Sequence, residues 1–329
     1  MKEGLPLANV LVIQPIAQEG IKMLLAEGLR VTQAENSCLE TLSNEIVDAD
    51  AILVRDAKIP RELIERGKRL SVISRHGAGL ERIDIGAATE KGIWVTYTPT
   101  ANSVSVAEHA IAMILALAKN LLKGDRVLRQ GNFAIRHELY GIELEGKTLS
   151  ILGLGNVGRR LGKKAAYGLG MRVIGYDPYV DDSNLDPLIE LNADWESLFK
   201  EADFVSLHMS LNDQTKGIIG RKEFELMKKS AFFINCSRGS IVKESELSDA
   251  LGCGRIAGAG IDVYDPSPPA KDHPLFAMDN VIITPHSAAH THEAMINMAK
   301  QAAQGIIEVL RGEIPTWPAN DIREGNLKK

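Results

Sequence analysis

The chain has 329 residues, a length that predicts about two domains of 100 to 200 residues each. Its 45% hydrophobic and 25% charged residues are ordinary for a folded chain and exclude disordered, collagenous and coiled-coil classes. A net charge of -5 repels a phosphate backbone, so no nucleic acid is expected as a partner.

The N-terminus carries Lys2 and Glu3 and breaks at Pro6, so no secretory signal is expected. From Asn9 onward, short apolar runs alternate with amphipathic ones, the pattern of parallel strands joined by helices. Strands are predicted at Val10 to Ile13, Ala51 to Val54, Ser71 to Ser74 and Ile93 to Thr96. Helices are predicted at Ile21 to Glu27, Ser43 to Asp48 and Pro60 to Lys68, the last with proline in its first turn. Thr98-Pro99-Thr100 interrupts the alternation, and Ser103 to Leu122 then reads as one long helix rich in Ala and Leu. Its apolar stretch from Ala110 to Ala118 is far shorter than the ~20 residues that span a bilayer, so no membrane is expected either. Lys123 to Lys147 is polar and reads as an arm.

The alternation restarts with strands at Leu149 to Leu152, Arg172 to Tyr176, Phe204 to His208, Ala231 to Asn235, Gly258 to Val263 and Val281 to Thr284. A helix from about Glu293 to Leu310 has apolar positions that need cover and is expected to return to the first domain. The expected fold class is therefore α/β with two doubly wound parallel sheets. The expected domains are 1–100 plus 290–329 for substrate and 101–289 for the nucleotide. Cys38, Cys236 and Cys253 are widely spaced and lack C-x-x-C, so neither a disulfide framework nor a zinc site is suggested, and a cytoplasmic location is expected.

Gly153-Leu154-Gly155-Asn156-Val157-Gly158 is G-x-G-x-x-G. It follows an apolar strand, precedes a helical stretch from Arg159 to Tyr167, and is followed after a second strand by Asp177. Together these make a dinucleotide fingerprint. Gly153 permits the tight turn, Gly155 the approach of a pyrophosphate, and Gly158 close packing of helix on strand. Asp177 accepts ribose hydroxyls and repels a 2'-phosphate, so NAD is expected before NADP.

The blocks His76-Gly77-Ala78-Gly79, Asn102 to Glu108, the fingerprint, Asn235-Cys236-Ser237-Arg238-Gly239, Gly260-Ile261-Asp262-Val263 and Thr284-Pro285-His286 follow one another in this order. Through them nearly the whole chain resembles the D-2-hydroxyacid dehydrogenase family, in a form closest to the phosphoglycerate-oxidising branch. The resemblance implies two Rossmann-like domains with the active site in the cleft between them. It also implies assembly as homodimers or homotetramers, NAD as cofactor, and a small anionic 2-hydroxy or 2-keto acid as substrate. No added C-terminal regulatory domain is expected in the remaining residues.

By the same resemblance Arg238 binds substrate and His286 is the acid and base, a planar fork for a carboxylate and an imidazole for the hydroxyl proton. Gly153, Gly155, Asn156, Val157, Gly158, Asp177, His208, Cys236, Ser237, Asp262 and Ala288 are implied as cofactor contacts, Asp262 toward the carboxamide. Cys236 is read as a packed contact and not a nucleophile. Gly77, Ala78 and Gly79 are implied to offer N–H groups to the substrate carboxylate beside Arg238.

Arg55 and Arg75 both follow strands and are candidates for a second anionic group on the substrate. One departure concerns the imidazole. Where the family has a glutamate that pairs with the catalytic histidine, this chain has Ser267, and Asp265 is the alternative partner. The loss of that charge predicts that keto-acid reduction fails at lower pH than in relatives that keep the glutamate. Two smaller departures, Glu81-Arg82 and Ala288-Ala289, bear on substrate shape. His286, His290 and His292 form H-x-x-x-H-x-H, but no acidic ligand completes a metal set, and no metal is expected. The rival readings are a glyoxylate or hydroxypyruvate reductase and, in another class, an NAD(H)-sensing regulatory protein.

Overall fold

The computed structural model describes residues 8–323, so Lys2, Glu3 and Pro6 lie outside the described residues. The chain divides into two compact units, one ending at Asn102 and resuming at His290, the other running from Ser103 to Ala289.

The first unit contains β1 (Asn9–Val12), α1 (Gln18–Ala26), β2 (Arg30–Gln33), α2 (Leu39–Glu45), β3 (Ala51–Val54), α3 (Arg61–Arg66), β4 (Val72–Arg75), α4 (Ile85–Glu90) and β5 (Trp94–Thr96). Its five strands are all parallel, in the order β2-β1-β3-β4-β5. Successive side chains of a strand point to opposite faces, and both faces are covered here. Val10, Val12, Ala51 and Leu53 pack on one side, while Leu11, Ile52 and Val54 pack on the other. That is why these strands read as unbroken apolar runs rather than as alternation.

The second unit contains α5 (Ser103–Ala118), α6 (Leu121–Arg129), β6 (Thr148–Leu152), α7 (Asn156–Leu169), β7 (Arg172–Tyr176), β8 (Ile189–Leu191), α8 (Trp195–Lys200), β9 (Phe204–Leu207), α9 (Arg221–Leu226), β10 (Phe232–Asn235), α10 (Glu244–Gly252), β11 (Gly258–Ile261) and β12 (Val281–Ile283). Seven parallel strands run β12-β11-β10-β9-β6-β7-β8. The order reverses between β6 and β9, and ligands of such sheets bind at that switch point, outside the carboxyl ends of the strands. The last helix, α11 (His292–Leu310), packs in the first unit, burying Ala299, Ala302, Ala303 and Ile306 against Val10, Val12 and Leu53. The approach is close enough that a Cβ on Gly20 of α1 would sit 2.7 Å from the Ala299 carbonyl oxygen.

Three local readings are corrected. Ser103 to Leu122 is not one helix: α5 stops at Ala118 and α6 starts at Leu121, bent by 60°. Asn120 makes the break with a left-handed backbone (φ 52°), and its side-chain amide donates to the Tyr140 carbonyl. Pro60 precedes α3 as its N-cap rather than entering the first turn. Strands β2 and β8 were not anticipated. Both are edge strands, and the exposed ends of β2 leave no apolar run to read. Among the described residues no single helix is long and apolar enough to cross a membrane.

Candidate active site

In the second unit every loop of interest leaves the carboxyl end of a strand in one sheet. The fingerprint leaves β6, Asp177 follows β7, His208 follows β9, Arg238 lies beyond β10, Asp262 follows β11 and His286 follows β12.

The fingerprint glycines are dictated by space. Gly153 has φ 100°, and a Cβ there would lie 2.7 Å from the His208 carbonyl carbon, across the switch point. A Cβ on Gly158 would overlap the Gly153 carbonyl oxygen, so α7 could not start where it does. Beside Gly155 nothing lies within 4 Å, and α7 begins with no side chain capping its first turn. An open cradle at the positive end of a helix is what a pyrophosphate needs, so the residues present fit a dinucleotide. Asn156 and Val157 form the first turn of that helix. Asp177 shapes the rim: its carboxylate accepts from Leu154 N at 2.9 Å and from Tyr179 N at 3.0 Å.

His208 donates its peptide N–H to the Leu152 carbonyl, and its Nε2 meets the Ser206 hydroxyl at 2.8 Å. Burial pushes its pKa down to about 4, so the ring is neutral near pH 7. Cys236 is buried with its sulfur 3.9 Å from Met113 Sδ, and burial, aided by Asp262, drives its thiol well above the usual range. The thiol therefore stays protonated and packs.

Arg238 is carried on a loop built by Asn235. The Asn235 side chain accepts from both Ser237 N and Ser237 Oγ and donates to the Arg238 carbonyl. Gly239 follows because the Tyr264 backbone lies so close that a Cβ would overlap it. The half-buried guanidinium donates to the Ser237 carbonyl at 2.7 Å.

His286 is exposed and holds a left-handed backbone, φ 53°. Asp262, 1% exposed, accepts from Ser287 N at 2.8 Å and Ala288 N at 3.0 Å, and so grips the loop just past the imidazole. The carboxylate named for the carboxamide is thus already engaged in building the loop. Ser267 is exposed and makes no hydrogen bond among the described residues, and Asp265 is also exposed, its peptide N–H donating to Glu244. Glu244 in turn meets His273 at 3.2 Å.

In the first unit, Gly77 to Gly79 leave the end of β4. The Gly77 amide, expected as a carboxylate donor, already donates to the Arg75 carbonyl at 3.0 Å, whereas the amides of Ala78 and Gly79 make no bond among the described residues. Arg75 curls back: its guanidinium donates to the carbonyls of His76 (2.6 Å) and Gly79 (2.9 Å) and is 15% exposed. Arg75, a candidate for a second anionic group, thus also builds the loop. Arg55 donates to the Pro15 carbonyl through one of its nitrogens. His76 is 3% exposed, its Nε2 has no hydrogen-bond partner among the described residues, and burial with the Arg55 and Arg75 charges pushes its pKa down to about 4.

Four supporting residues escaped the sequence reading: Asn235, Tyr264, Thr284 and His109. The first three lie in or beside blocks that were singled out, and His109 directly follows Glu108 at the edge of one. Nothing in their spacing announces a hydrogen bond between distant loops. Among the described residues no group of three or more His, Cys, Asp or Glu could hold a metal.

Comparison with known proteins gives concordant matches. The chain is 42% identical to the D-3-phosphoglycerate dehydrogenase of Methanocaldococcus jannaschii over 94% of its own length, but spans only 58% of that relative. It is 37% identical to the hydroxypyruvate reductase of Thermotoga maritima, covering 92% of this chain and 98% of that one. A solved structure, the TT0316 protein of Thermus thermophilus, superposes with a TM-score of 0.85 at 31% identity over 94% of this chain and 99% of that chain. Residues 111–288, which carry the fingerprint, Asp177, Arg238 and His286, match the profile described as the NAD binding domain of the D-isomer specific 2-hydroxyacid dehydrogenases, and the chain belongs to that family.

Proposed function

We propose that the chain is an NAD-dependent oxidoreductase that interconverts a small D-2-hydroxy acid and its 2-keto form. The observation that carries this reading is the gathering of the dinucleotide cradle, a guanidinium and an imidazole at the carboxyl ends of one parallel sheet. NAD, when bound, supplies the hydride acceptor. Arg238 pairs with the substrate carboxylate and holds the reacting carbon in one orientation. In oxidation the neutral ring of His286 takes the hydroxyl proton as hydride leaves the same carbon. In reduction the protonated ring returns it to the carbonyl oxygen. Within the first unit, the amides of Ala78 and Gly79 and the remaining donors of Arg55 suit an anionic group.

A phosphorylated hydroxy acid is the substrate favoured by Arg55 and by the name of the M. jannaschii relative. The full-length match to a hydroxypyruvate reductase favours a smaller acid. A third reading, an NAD(H)-responsive regulatory protein, draws support from Ser267, a neutral residue where the resemblance implies an acid. A homodimer or homotetramer is proposed because α6 and the segment after it expose Leu121, Leu122, Leu128, Phe133 and Tyr140. Three free cysteines accord with a cytoplasmic location.

The test is a panel of 2-keto acids with NADH, followed by loss of nicotinamide absorbance. Arg238→Ala and His286→Ala are each expected to lower kcat/KM by about 100-fold or more while still binding NADH. Turnover that survives both substitutions overturns the assignment, and NADH binding without any turnover supports the regulatory reading.

A further inference from the structure

His109 projects from α5 toward the loop that bears His286. Its Nε2 lies 3.1 Å from Thr284 Oγ1, and Thr284 Oγ1 lies 2.5 Å from Asp262 Oδ1. Counting protons gives the direction of each bond. A carboxylate only accepts, so Thr284 gives its single hydroxyl proton to Asp262. The threonine oxygen must then accept from the ring, which places a proton on His109 Nε2. The result is a one-way series from α5 to the end of β12 to the end of β11. It stops at the carboxylate that grips Ser287 N and Ala288 N.

The other side of His286 is held as well. The Tyr264 hydroxyl donates to the Thr284 carbonyl at 2.9 Å, and the His286 peptide N–H donates to that same carbonyl at 3.0 Å. Burial first, and then Asp262 and Glu244, push the Tyr264 pKa up to about 12, which keeps that donor protonated. The left-handed backbone of His286 is unfavourable for a residue with a Cβ, and such a conformation persists only where its surroundings over-determine it. Ser267 contributes nothing to that task.

We propose that His109 is a positioning residue: through Thr284 and Asp262 it holds the loop that aims His286. This rests on the dehydrogenase reading above. It differs from a packing role because the donor on Nε2, and not the bulk of the ring, is what the series requires.

The experiment compares the full chain with His109→Leu, His109→Gln, Thr284→Val and the His109→Leu/Thr284→Val double variant. Glutamine places an N–H near the former Nε2, whereas leucine does not. His109→Leu and Thr284→Val are each expected to lower kcat about tenfold with the KM for NADH nearly unchanged. The double variant is expected to be no worse than either alone, as for two parts of one unit, and His109→Gln to recover to within about threefold of wild type. In the protein without nucleotide, His109→Leu is expected to speed amide hydrogen exchange across 286–289 and leave β6 and β7 unchanged. Wild-type kcat in His109→Leu, a loss that glutamine does not restore, or effects that multiply in the double variant would overturn the proposal. If wild type itself turns over no 2-keto acid, the dehydrogenase reading fails, and exchange decides the relay alone: faster exchange supports it and unchanged exchange refutes it.

Discussion

The two units solve one problem in different ways. Each ends a buried parallel strand in a glycine-bearing loop at the carboxyl edge of its sheet. After β6 the glycine positions are set by backbone crowding, since Gly153 and Gly158 are the residues that the neighbouring carbonyls leave room for, while Asp177 and Arg159 hold the Leu154 peptide between them. After β4 the loop is shaped by a side chain, with the Arg75 guanidinium clamping the carbonyls of His76 and Gly79. A loop made by backbone crowding is rigid in itself, whereas a clamped loop depends on one residue that can be removed. The glycines of the first should be sensitive above all to added volume, and the second should fail without any change of volume.

The largest expected effect tests the crowded loop. Gly158→Val should destabilise the second unit by about 3 kcal/mol or more, because the new side chain has no place to go. Gly155→Ala is the matched control, because nothing lies within 4 Å of its Cβ. It should leave the thermal midpoint unchanged and weaken NADH binding about tenfold, since the space it fills is reserved for ligand. Equal losses of stability in the two variants would refute the distinction between room left for the protein and room left for the coenzyme.

Acid should act on both units with the same sign. His76 and His208 each have a folded pKa of about 4 against an unfolded value of 6.5. Between those values the unfolded chain binds more protons than the folded one, so stability is full above pH 6.5 and falls as pH drops toward 4. For the buried His76 the loss is about 3 kcal/mol. Urea unfolding at pH 7 and pH 4.5 should show it, and His76→Gln should flatten the slope for the first unit only.

A smaller effect tests the clamp. Arg75→Met keeps the length of the side chain and removes the donors to the loop carbonyls. It should raise the substrate KM by roughly tenfold, about 1.4 kcal/mol, with NADH affinity unchanged. An unchanged KM would mean that the loop after β4 holds its shape without the clamp.

The same contrast explains what could be read beforehand. The central strands are visible because burial on both faces writes Ala-Ile-Leu-Val at Ala51–Val54 and Phe-Phe-Ile-Asn at Phe232–Asn235. The fingerprint is visible because glycine spacing is itself a statement about space. Edge strands such as Arg30–Gln33 leave no such trace. Asn120 turns a helix without the glycine or proline that would announce it. The clamp of Arg75, the engagement of Asp262 and the series through His109 depend on which distant atoms come within bonding distance. A linear pattern of residue types carries none of that information.

The unfavourable torsion at His286 carries an energetic consequence. Glycine there would relax the main chain by roughly 1 kcal/mol while deleting the imidazole. His286→Gly is therefore expected to raise the thermal midpoint while it removes the imidazole, with the coenzyme cradle untouched.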